Sequence, residues 1–219
     1  MGNNVIEKSE LELTRSLHEA KKYIDNMLLM VKSISDEINR YRLSEGFYKK
    51  FKEEYIPIFN YLVLKYGYDV NLKFTYVGVG NQGYDAEVLI NGNPLRIEIT
   101  YLTLGKESKK RSKELINEGY SIRIGDPRIQ LSDYYDLINE TATKKSLKHY
   151  GDTLLILYLP CENVYVGDYI LPKESFEKMV SDLKGKQYNT KRVDLFIPEK
   201  SVINNLGERK IPPEIHRIK

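Results

Sequence analysis

Residues Tyr84 to Tyr101 read YDAEVLINGNPLRIEITY, and this stretch decides the fold. Asn91 and Gly92 separate two segments rich in β-branched residues, and both tolerate the positive φ angles of a two-residue hairpin turn. The pattern therefore predicts a β-hairpin with its turn at these two residues. One face of the hairpin carries only apolar side chains, which we expect to lie in the core: Ala86, Val88, Ile90, Leu95, Ile97 and Ile99.

The opposite face of the predicted hairpin brings two carboxylates together. With this turn, Asp85 lies directly opposite Glu98, and Glu87 lies opposite Arg96. Directly opposed side chains have Cβ atoms about 4.5–5.5 Å apart, so two carboxylates at such positions repel each other. A hard cation such as Mg²⁺ turns this repulsion into a binding site. Without a cation, Asp85 and Glu98 are a plain pair on the surface, and both interpretations remain open.

Composition limits the class of protein. A chain of 219 residues forms one domain, or one domain with an appendage, and its 41% hydrophobic content supplies a core. The net charge of +3 is compatible with nucleic-acid binding without demanding it. The single cysteine, Cys161, excludes an internal disulfide framework and a zinc site built on several cysteines. No stretch is apolar enough to cross a bilayer, so we expect a cytoplasmic protein without a membrane partner.

Residues 1–45 are predicted to form a long N-terminal helix that resembles a coiled coil. Apolar residues recur with alternating spacings of four and three, and the β-branched residues at one of the two seam positions favour a parallel pair of helices. We expect this segment to make the protein a homodimer; the alternative is a long helix packed on its own domain. The seam consists of Leu13, Leu17, Ala20, Ile24, Met27, Val31, Ile34, Ile38 and Tyr41.

A glycine motif precedes the hairpin. Tyr68 to Val77 alternates apolar and polar residues as a strand does, and Gly78 to Gly83 then reads G-x-G-x-x-G. A dinucleotide site needs a helix that opens at the third glycine, but here a hairpin strand follows. We therefore interpret the motif as a flexible loop that leads the chain to Asp85, and we expect no nucleotide cofactor.

The segment after the hairpin is strongly basic. Gly105 to Glu118 is predicted to be a helix that carries Lys109, Lys110 and Arg111. Most charge runs are simply solvated faces. Phosphate contacts need no more than such a row of cations, so these three residues are candidates for binding nucleic acid.

The remaining segments alternate between helices and strands. Pro57 is expected to kink one helix or to mark its start, and the tail from Glu199 is predicted to be irregular. The predicted helices are Phe47–Lys65, Asp133–Tyr150 and Pro172–Lys184, and the predicted strands are Thr153–Pro160 and Arg192–Pro198.

The order α-β-β-β-α-β, with Asp85 and then Glu98-Ile99-Thr100 after a tight hairpin, resembles the PD-(D/E)XK nuclease superfamily, which has the restriction-endonuclease-like fold. The resemblance covers about Phe47 to Pro160, including the basic helix that runs into a buried strand in KKSLKHYGDTLLILYL. It implies an α/β domain over residues 46–219 with a mixed central sheet. It also implies that Asp85, Glu98 and the Ile99 carbonyl hold Mg²⁺ or Mn²⁺. Glu53 or Glu54 would add a ligand, as happens in some members.

The chain departs from the family pattern at Thr100, which stands where the motif has its catalytic lysine. Threonine cannot supply a cation to activate water or to stabilise negative charge at phosphorus. Three explanations follow: Lys145, or Lys144, replaces the lysine; the metal ion acts alone; or the site is degenerate and only binds.

Taken together, these features predict a homodimeric, metal-dependent DNA endonuclease. Asp85, Glu98, Lys145 and Thr100 would form its catalytic site, and Lys144 would join the basic helix in contacting DNA. One alternative is a catalytically inactive nuclease-like module that binds nucleic acid or protein and assembles through its N-terminal helix. The other is a coiled-coil scaffold whose α/β domain docks partners.

Overall fold

The chain is an α/β protein with a mixed seven-stranded sheet. The computed structural model describes residues 6–68, 71–78, 83–102, 105–118, 127–160, 165–166, 169–170, 173–204 and 207–219. Within these ranges, the side chains of 105–109, 111–112, 127–134, 165–166, 169–170, 173, 200–204 and 207–211 are not described.

Helices and strands alternate along most of the chain. The helices are α1 Lys8–Leu11, α2 Leu17–Ser33, α3 Ser35–Arg42, α4 Phe47–Lys50, a π-helical turn Phe51–Tyr55, α5 Ile56–Tyr66, α6 Gly105–Glu118, α7 Pro127–Ser146 and α8 Lys173–Lys184. The strands are β1 Arg15–Ser16, β2 Leu72–Tyr76, β3 Ala86–Ile90, β4 Asn93–Tyr101, β5 His149–Tyr158, β6 Tyr165–Val166, β7 Tyr169–Ile170, β8 Asn189–Ile197, β9 Lys200–Asn204, β10 Gly207–Ile211 and β11 Glu214–Arg217.

The large sheet has the strand order β1-β2-β3-β4-β5-β8-β11. The pairs β1–β2, β2–β3, β3–β4 and β8–β11 are antiparallel, whereas β5 and β8 are parallel. The chain divides into two compact units, 1–99 with 109–121 and 100–108 with 122–219. No helix within the described ranges is both long and apolar enough to cross a membrane.

The predicted hairpin is confirmed. Strands β3 and β4 pair in the predicted register, with Glu87 opposite Arg96 and Ala86 opposite Ile97. Asn91 and Gly92 have φ angles of 51° and 80°, as a two-residue turn of this type requires. Away from the turn, the predicted apolar face is buried, at Ala86, Val88, Ile97 and Ile99.

The N-terminal segment is not one continuous helix, which corrects the prediction from its apolar seam. Helix α2 starts at Leu17, because Ser16 and Glu19 form a capping box there. It ends at Ser33, and Ile34 has an extended backbone before the acidic first turn of α3. The structure also buries part of the seam within the chain's own fold, namely Leu17, Ala20, Ile24 and Val31. Dimerisation through residues 1–45 remains a prediction.

The predicted second helix, by contrast, runs from Phe47 to Tyr66 without leaving helical conformation, and Gly67 ends it with a φ of 66°. Pro57 has no amide hydrogen, so the carbonyl of Glu53 lacks its usual partner four residues ahead. The helix widens just before Pro57 into the π-helical turn, where the amide of Ile56 bonds the carbonyl of Phe51.

Aromatic rings fill the core of the first unit. Tyr55, on the π-helical turn, lies 5.0 Å from Phe74 and 5.9 Å from Tyr76 between ring centroids, and both partners are on β2. Tyr23 on α2 approaches the edge of Tyr55 at 5.7 Å. Contacts of this kind add to the stability gained from burying the rings. They pack the helix that carries Glu54 onto the strand that carries Tyr76.

The second unit has its own core around β5 and β8. Leu155 and Leu157 on β5 and Val193 and Leu195 on β8 are fully buried in it. Asp194, also buried, is bonded by Arg192 at 2.9 Å and forms an ion pair at 2.8 Å with a further arginine, Arg217 on β11. A buried carboxylate needs partners of this kind.

Three predicted boundaries in the second unit are corrected. The tail after Glu199 is not irregular, because β9, β10 and β11 are paired strands. Helix α7 begins six residues before the predicted start at Asp133 and ends at Ser146. His149 therefore begins β5 instead of lying at a helix C-terminus.

A substitution at Gly92 tests the assignment of the hairpin turn. Gly92→Ala places a Cβ on a left-handed residue with a φ of 80°. We expect the free energy of unfolding to fall by about 1–2 kcal/mol. Urea denaturation of both proteins measures this difference.

Asn93→Ala is the matched control, because Asn93 is the exposed first residue of β4. It should change the free energy of unfolding by less than about 0.5 kcal/mol. Equal losses in the two variants would contradict the assignment of the turn.

Candidate functional site

Asp85 is held at the point where three strands meet. It immediately precedes β3, and its carbonyl accepts a hydrogen bond of 2.8 Å from the amide of Val77, just after β2. Its own amide donates to the carbonyl of Ile97 at 2.8 Å, and its carboxylate oxygen Oδ2 accepts from the amide of Ile99 at 2.9 Å. The two partners on β4, the Ile97 carbonyl and the Ile99 amide, belong to the residues on either side of Glu98. The carboxyl group of Asp85 therefore has a defined position.

The position of Asp85 differs in detail from the predicted one. The described pairing of β3 and β4 ends with Ala86 opposite Ile97. In the predicted register Asp85 would lie opposite Glu98, but its amide bonds the carbonyl of Ile97. The chain bends at Asp85, and the side chain turns toward a backbone donor. This bond satisfies the Ile99 amide, which β3 leaves without a ladder partner because the strand has ended. Asp85 and Glu98 are nevertheless brought together, as their electrostatic interaction shows.

Glu54 adds a third carboxylate, from the π-helical turn. Its Oε2 accepts a hydrogen bond of 2.5 Å from the hydroxyl group of Tyr76, which is fully buried on β2. Lys50, one turn earlier on the helix, lies 2.9 Å from Oε1 and 3.2 Å from Oε2. The sequence had offered Glu53 and Glu54 equally, and the structure places Glu54 at this cluster.

The carboxyl group of Asp85 titrates far from its ordinary range. Burial raises its pKa, and the negative charges of Glu54 and Glu98 raise it further, to about 7. The Ile99 amide and the positive charge of Lys50 act in the opposite direction. Acidic groups from one helix and two strands therefore lie within electrostatic reach of one another. Raised carboxyl pKa values of this kind are typical of functional sites.

Tyr76 and Gly78 form the wall of this cluster. Burial and the neighbouring Glu54 carboxylate raise the pKa of the Tyr76 hydroxyl, so this group remains a hydrogen-bond donor. The backbone of Gly78 passes very close to it. A Cβ at Gly78 would lie 2.6 Å from Cζ of Tyr76, closer still to its hydroxyl oxygen, and 2.9 Å from Oε2 of Glu54. Glycine is required here for a close backbone approach.

The donor set suits a hard divalent cation in its chemistry, because Mg²⁺ and Mn²⁺ prefer carboxylate oxygens. The geometry is less complete. In the described part of the chain, no group of three or more histidine, cysteine, aspartate or glutamate side chains is arranged to hold a metal ion. Glu54 is bonded to Lys50 and Tyr76, and Asp85 to a backbone amide. A cation at Asp85 and Glu98 could recruit Glu54 only by changing the contacts of that side chain.

The other residues predicted for catalysis lie in the second unit. Thr100 follows Glu98 by two positions on β4, is 6% exposed, and its hydroxyl has no hydrogen-bond partner among the described residues. Lys145 is half-buried on α7. Its role as the substitute lysine remains a prediction, as does that of Lys144, which is exposed and paired with Glu140 at 2.5 Å.

The predicted phosphate-binding residues lie on α6, whose predicted bounds of Gly105 and Glu118 are confirmed. Lys110 is 78% exposed, with its ammonium 3.9 Å from Glu114. The side chains of Lys109 and Arg111 lie outside the described residues. A contact of these three residues with phosphate remains a prediction.

The sequence did not identify Lys50 or Tyr76 as residues of the site, and it did not explain why position 78 is a glycine. A signal existed for Lys50, because Lys50 and Glu54 are four residues apart on a predicted helix and so face the same side. None existed for Tyr76, whose alternating position predicted only a core aromatic residue. The contact between β2 and the helix, which turns Tyr76 toward Glu54, is tertiary.

Comparisons of the chain with protein-family models, with curated proteins and with solved structures gave no match. A function for the chain therefore has to be inferred from the chemistry of its own residues.

The raised pKa of Asp85 predicts a pH dependence of stability. Its ordinary value is 3.8 and its value in the folded protein is about 7, so the folded state binds more protons between these values. The free energy of unfolding should therefore fall as pH rises from about 4 to 7, by about 2–4 kcal/mol from this group alone. Asp85→Asn, which keeps an acceptor for the Ile99 amide, should lose this contribution and be the more stable protein at pH 8.

Urea denaturation between pH 4.5 and 8 measures both profiles. The matched control is Asp152→Asn, because Asp152 is 79% exposed and is paired with a surface lysine, Lys191. Its profile should run parallel to that of the wild type. Parallel profiles for wild type and Asp85→Asn would contradict the raised pKa.

The close approach at Gly78 gives a second test of the site. Gly78→Ala must displace the Tyr76 hydroxyl or Glu54, and we expect a loss of about 1–3 kcal/mol in the free energy of unfolding. Gly83→Ala is the matched control from the same glycine motif, because a Cβ at Gly83 meets no described residue within 4 Å. Denaturation at one fixed pH compares them, and equal effects would contradict the described packing.

Proposed function

We propose that the chain is a metal-dependent phosphodiesterase that cleaves DNA, of the PD-(D/E)XK type. The observation that carries the proposal is the carboxyl group of Asp85, whose pKa is raised by burial and by the charges of Glu54 and Glu98. Three carboxylates gathered at a partly buried position are costly, and the ammonium group of Lys50 offsets part of their negative charge. A Mg²⁺ or Mn²⁺ ion would supply the remaining positive charge.

The order of elements supports this proposal. A helix ending at Tyr66, strands β2, β3 and β4, helices α6 and α7, and strand β5 follow one another along the chain. This order resembles the α-β-β-β-α-β order of the restriction-endonuclease-like fold, with one added helix. Asp85 immediately precedes β3 and Glu98 lies on β4, an arrangement that resembles the family motif.

The chain's own residues have separate roles in the proposed site. A divalent cation at these carboxylates supplies a Lewis acid that activates water and offsets negative charge on a phosphate. Asp85, fixed by three hydrogen bonds, and Glu98 would hold the ion, with the Ile99 carbonyl as a further oxygen donor. The fixed position of Asp85 reduces the reorganisation needed during the reaction. Thr100 supplies a hydroxyl group but no positive charge.

DNA is proposed as the substrate because of the basic helix α6. Lys109, Lys110 and Arg111 lie on its N-terminal half, and Lys110 is well exposed. Cations arranged along one helix bind the phosphate backbone without reading its sequence. A homodimer, through the N-terminal segment, would present two such sites for cleavage of both strands.

The alternative is a nuclease-like module that binds nucleic acid or protein without cleaving it. Two observations favour it: Thr100 replaces the motif lysine, and the described residues hold no preformed cluster of three metal-binding side chains. Such a module would bind DNA in a salt-dependent manner but would show no carboxylate-dependent uptake of metal.

The nuclease proposal is tested by cleavage of supercoiled plasmid in the presence of Mg²⁺ or Mn²⁺. We expect metal-dependent cleavage that falls by at least about 100-fold in Asp85→Asn and in Glu98→Gln, because each removes a charge that binds the cation. Labelled DNA and RNA oligonucleotides, single- and double-stranded, identify the substrate.

Glu87→Gln is the matched control for the charge change. Glu87 lies on the same hairpin and is paired with Arg96, 4.0 Å away at the surface. This variant should cleave at the wild-type rate. Cleavage that persists in Asp85→Asn and Glu98→Gln would exclude this site, and a wild-type protein that binds DNA but takes up no Mn²⁺ would select the binding module.

A further inference from the structure

Helix α2 carries a continuous apolar stretch that the fold of one chain does not fully bury. Met27 to Val31 reads MLLMV, five apolar residues in a row. Successive residues are rotated by about 100° around a helix, so five of them cover every side of it. A helix that is apolar all round is normally buried. This turn of α2 therefore has one side for the core of its own chain and a second apolar side left over.

The structure shows which side is left over. Leu29 is 66% exposed and lies about 180° around the helix axis from Ala20, which is buried. Met30 beside it and Ile34, just past the helix end, are each 44% exposed. Single exposed apolar residues are normal, whereas several close together often mark an interaction site. We call Leu29, Met30 and Ile34 the outer patch of α2.

An acid and a base lie at opposite ends of the apolar stretch. Asp25 precedes it and Lys32 follows it, and both are exposed. They are seven residues apart, so they lie on one side of the helix, the side that also carries Leu29. Lys21 is bonded to Asp25 at 2.7 Å, with side chains 51% and 53% exposed. Exposed pairs of this kind are weak, so Lys21 does not prevent Asp25 from meeting a lysine of another molecule.

These charges favour a second copy of the same helix as the partner. When two α2 helices lie antiparallel and cross at Leu29, the acidic end of each helix lies beside the basic end of the other. A parallel pair would instead place Lys32 beside Lys32 and Asp25 beside Asp25, and like charges repel. The exposed acid also disfavours an anionic lipid surface as the occupant of the patch.

We propose that the outer patch of α2 binds a second copy of this chain, with the two helices antiparallel about a two-fold axis at Leu29. A two-fold contact of this kind is self-complementary and closes as a dimer. Such a dimer depends neither on metal binding nor on cleavage of nucleic acid. It differs from the parallel pair that the heptad spacing predicts, because four residues of that seam are already buried within one chain: Leu17, Ala20, Ile24 and Val31.

The length of α2 limits the strength of this dimer. Its 17 residues form a helix about 25 Å long, so the two copies share one short helix–helix contact. Specific interfaces bury at least about 1,000 Å² in total, and a contact of this size lies near that lower limit. We therefore expect a dissociation constant of about 1–100 μM.

Sedimentation equilibrium of the full chain, from about 1 to 300 μM, measures this association. Leu29→Glu places two carboxylates against each other at the centre of the contact and should raise the dissociation constant at least about 30-fold. Because Leu29 is exposed in a single chain, the free energy of unfolding in dilute solution should change by less than about 0.5 kcal/mol. Leu147→Glu is the matched control, since Leu147 is 74% exposed but belongs to the other unit. It should leave the dissociation constant within about twofold of the wild type.

Cysteine cross-linking tests the direction of the helices, in a Cys161→Ser background that removes the native thiol. An equimolar mixture of Asp25→Cys and Lys32→Cys chains should form mainly the mixed disulfide on mild oxidation. An antiparallel pair brings these two positions together across the dimer, as a disulfide requires. Either variant oxidised alone should cross-link much more slowly.

A wild-type chain that stays monomeric at the highest concentration overturns the proposal, and so does a dimer that Leu29→Glu leaves intact. Disulfides that form mainly between identical variants overturn the antiparallel arrangement. Anionic phospholipid vesicles that bind the wild type but not Leu29→Glu, with no dimer in solution, would assign the patch to a membrane instead. None of these measurements uses cleavage as its readout, so a failure of the nuclease function leaves the dimer unaffected.

Discussion

The hydrogen bond from the Ile99 amide to the Asp85 carboxylate joins the hairpin to the candidate site. It forms where the backbone ladder between β3 and β4 ends, so a side chain takes over the work of a main-chain acceptor. The same residue accepts from Val77, just after β2. One acidic residue thus joins three strands, through its backbone to Val77 and Ile97 and through its side chain to Ile99.

This arrangement has a cost in stability. Burial and two neighbouring carboxylates disfavour the charged form of Asp85, and the folded state retains a proton that the unfolded chain has already lost near neutral pH. Residues arranged for function often destabilise the fold in this way. Tyr76 and Lys50 offset part of the cost by bonding Glu54. The core of aromatic rings behind them keeps the helix and the sheet in contact.

Compared with the PD-(D/E)XK motif that the hairpin resembles, the chain differs in where a positive charge is found. A lysine two positions after Glu98 would supply its cation from β4, but the chain has a buried threonine there. The structure instead shows a lysine on the helix, already bonded to the third carboxylate.

Much of the local structure followed from the sequence. The hairpin and its register were predictable because Asn-Gly at a turn and alternating side chains are local signals, and the bounds of α6 were predictable for the same reason. The approach of Asp85 and Glu98 followed from that register. The break at Ile34 was missed because the apolar spacing continues across it, although the capping box at Ser16 and the acids of α3 were visible.

Only the tertiary structure decided which residues complete the site. Burial of the four seam residues on α2 depended on a partner surface within the same chain, which periodicity alone does not distinguish from a second copy. The choice of Glu54 over Glu53, the bond from Tyr76 and the need for glycine at position 78 all depend on how the helix packs against β2. The sequence by itself determined the hairpin and the approach of its two acidic residues, because the turn residues and the alternation of side chains along two adjacent strands are local signals. The third carboxylate and its lysine were decided by packing between elements far apart in the chain, which no local pattern encodes.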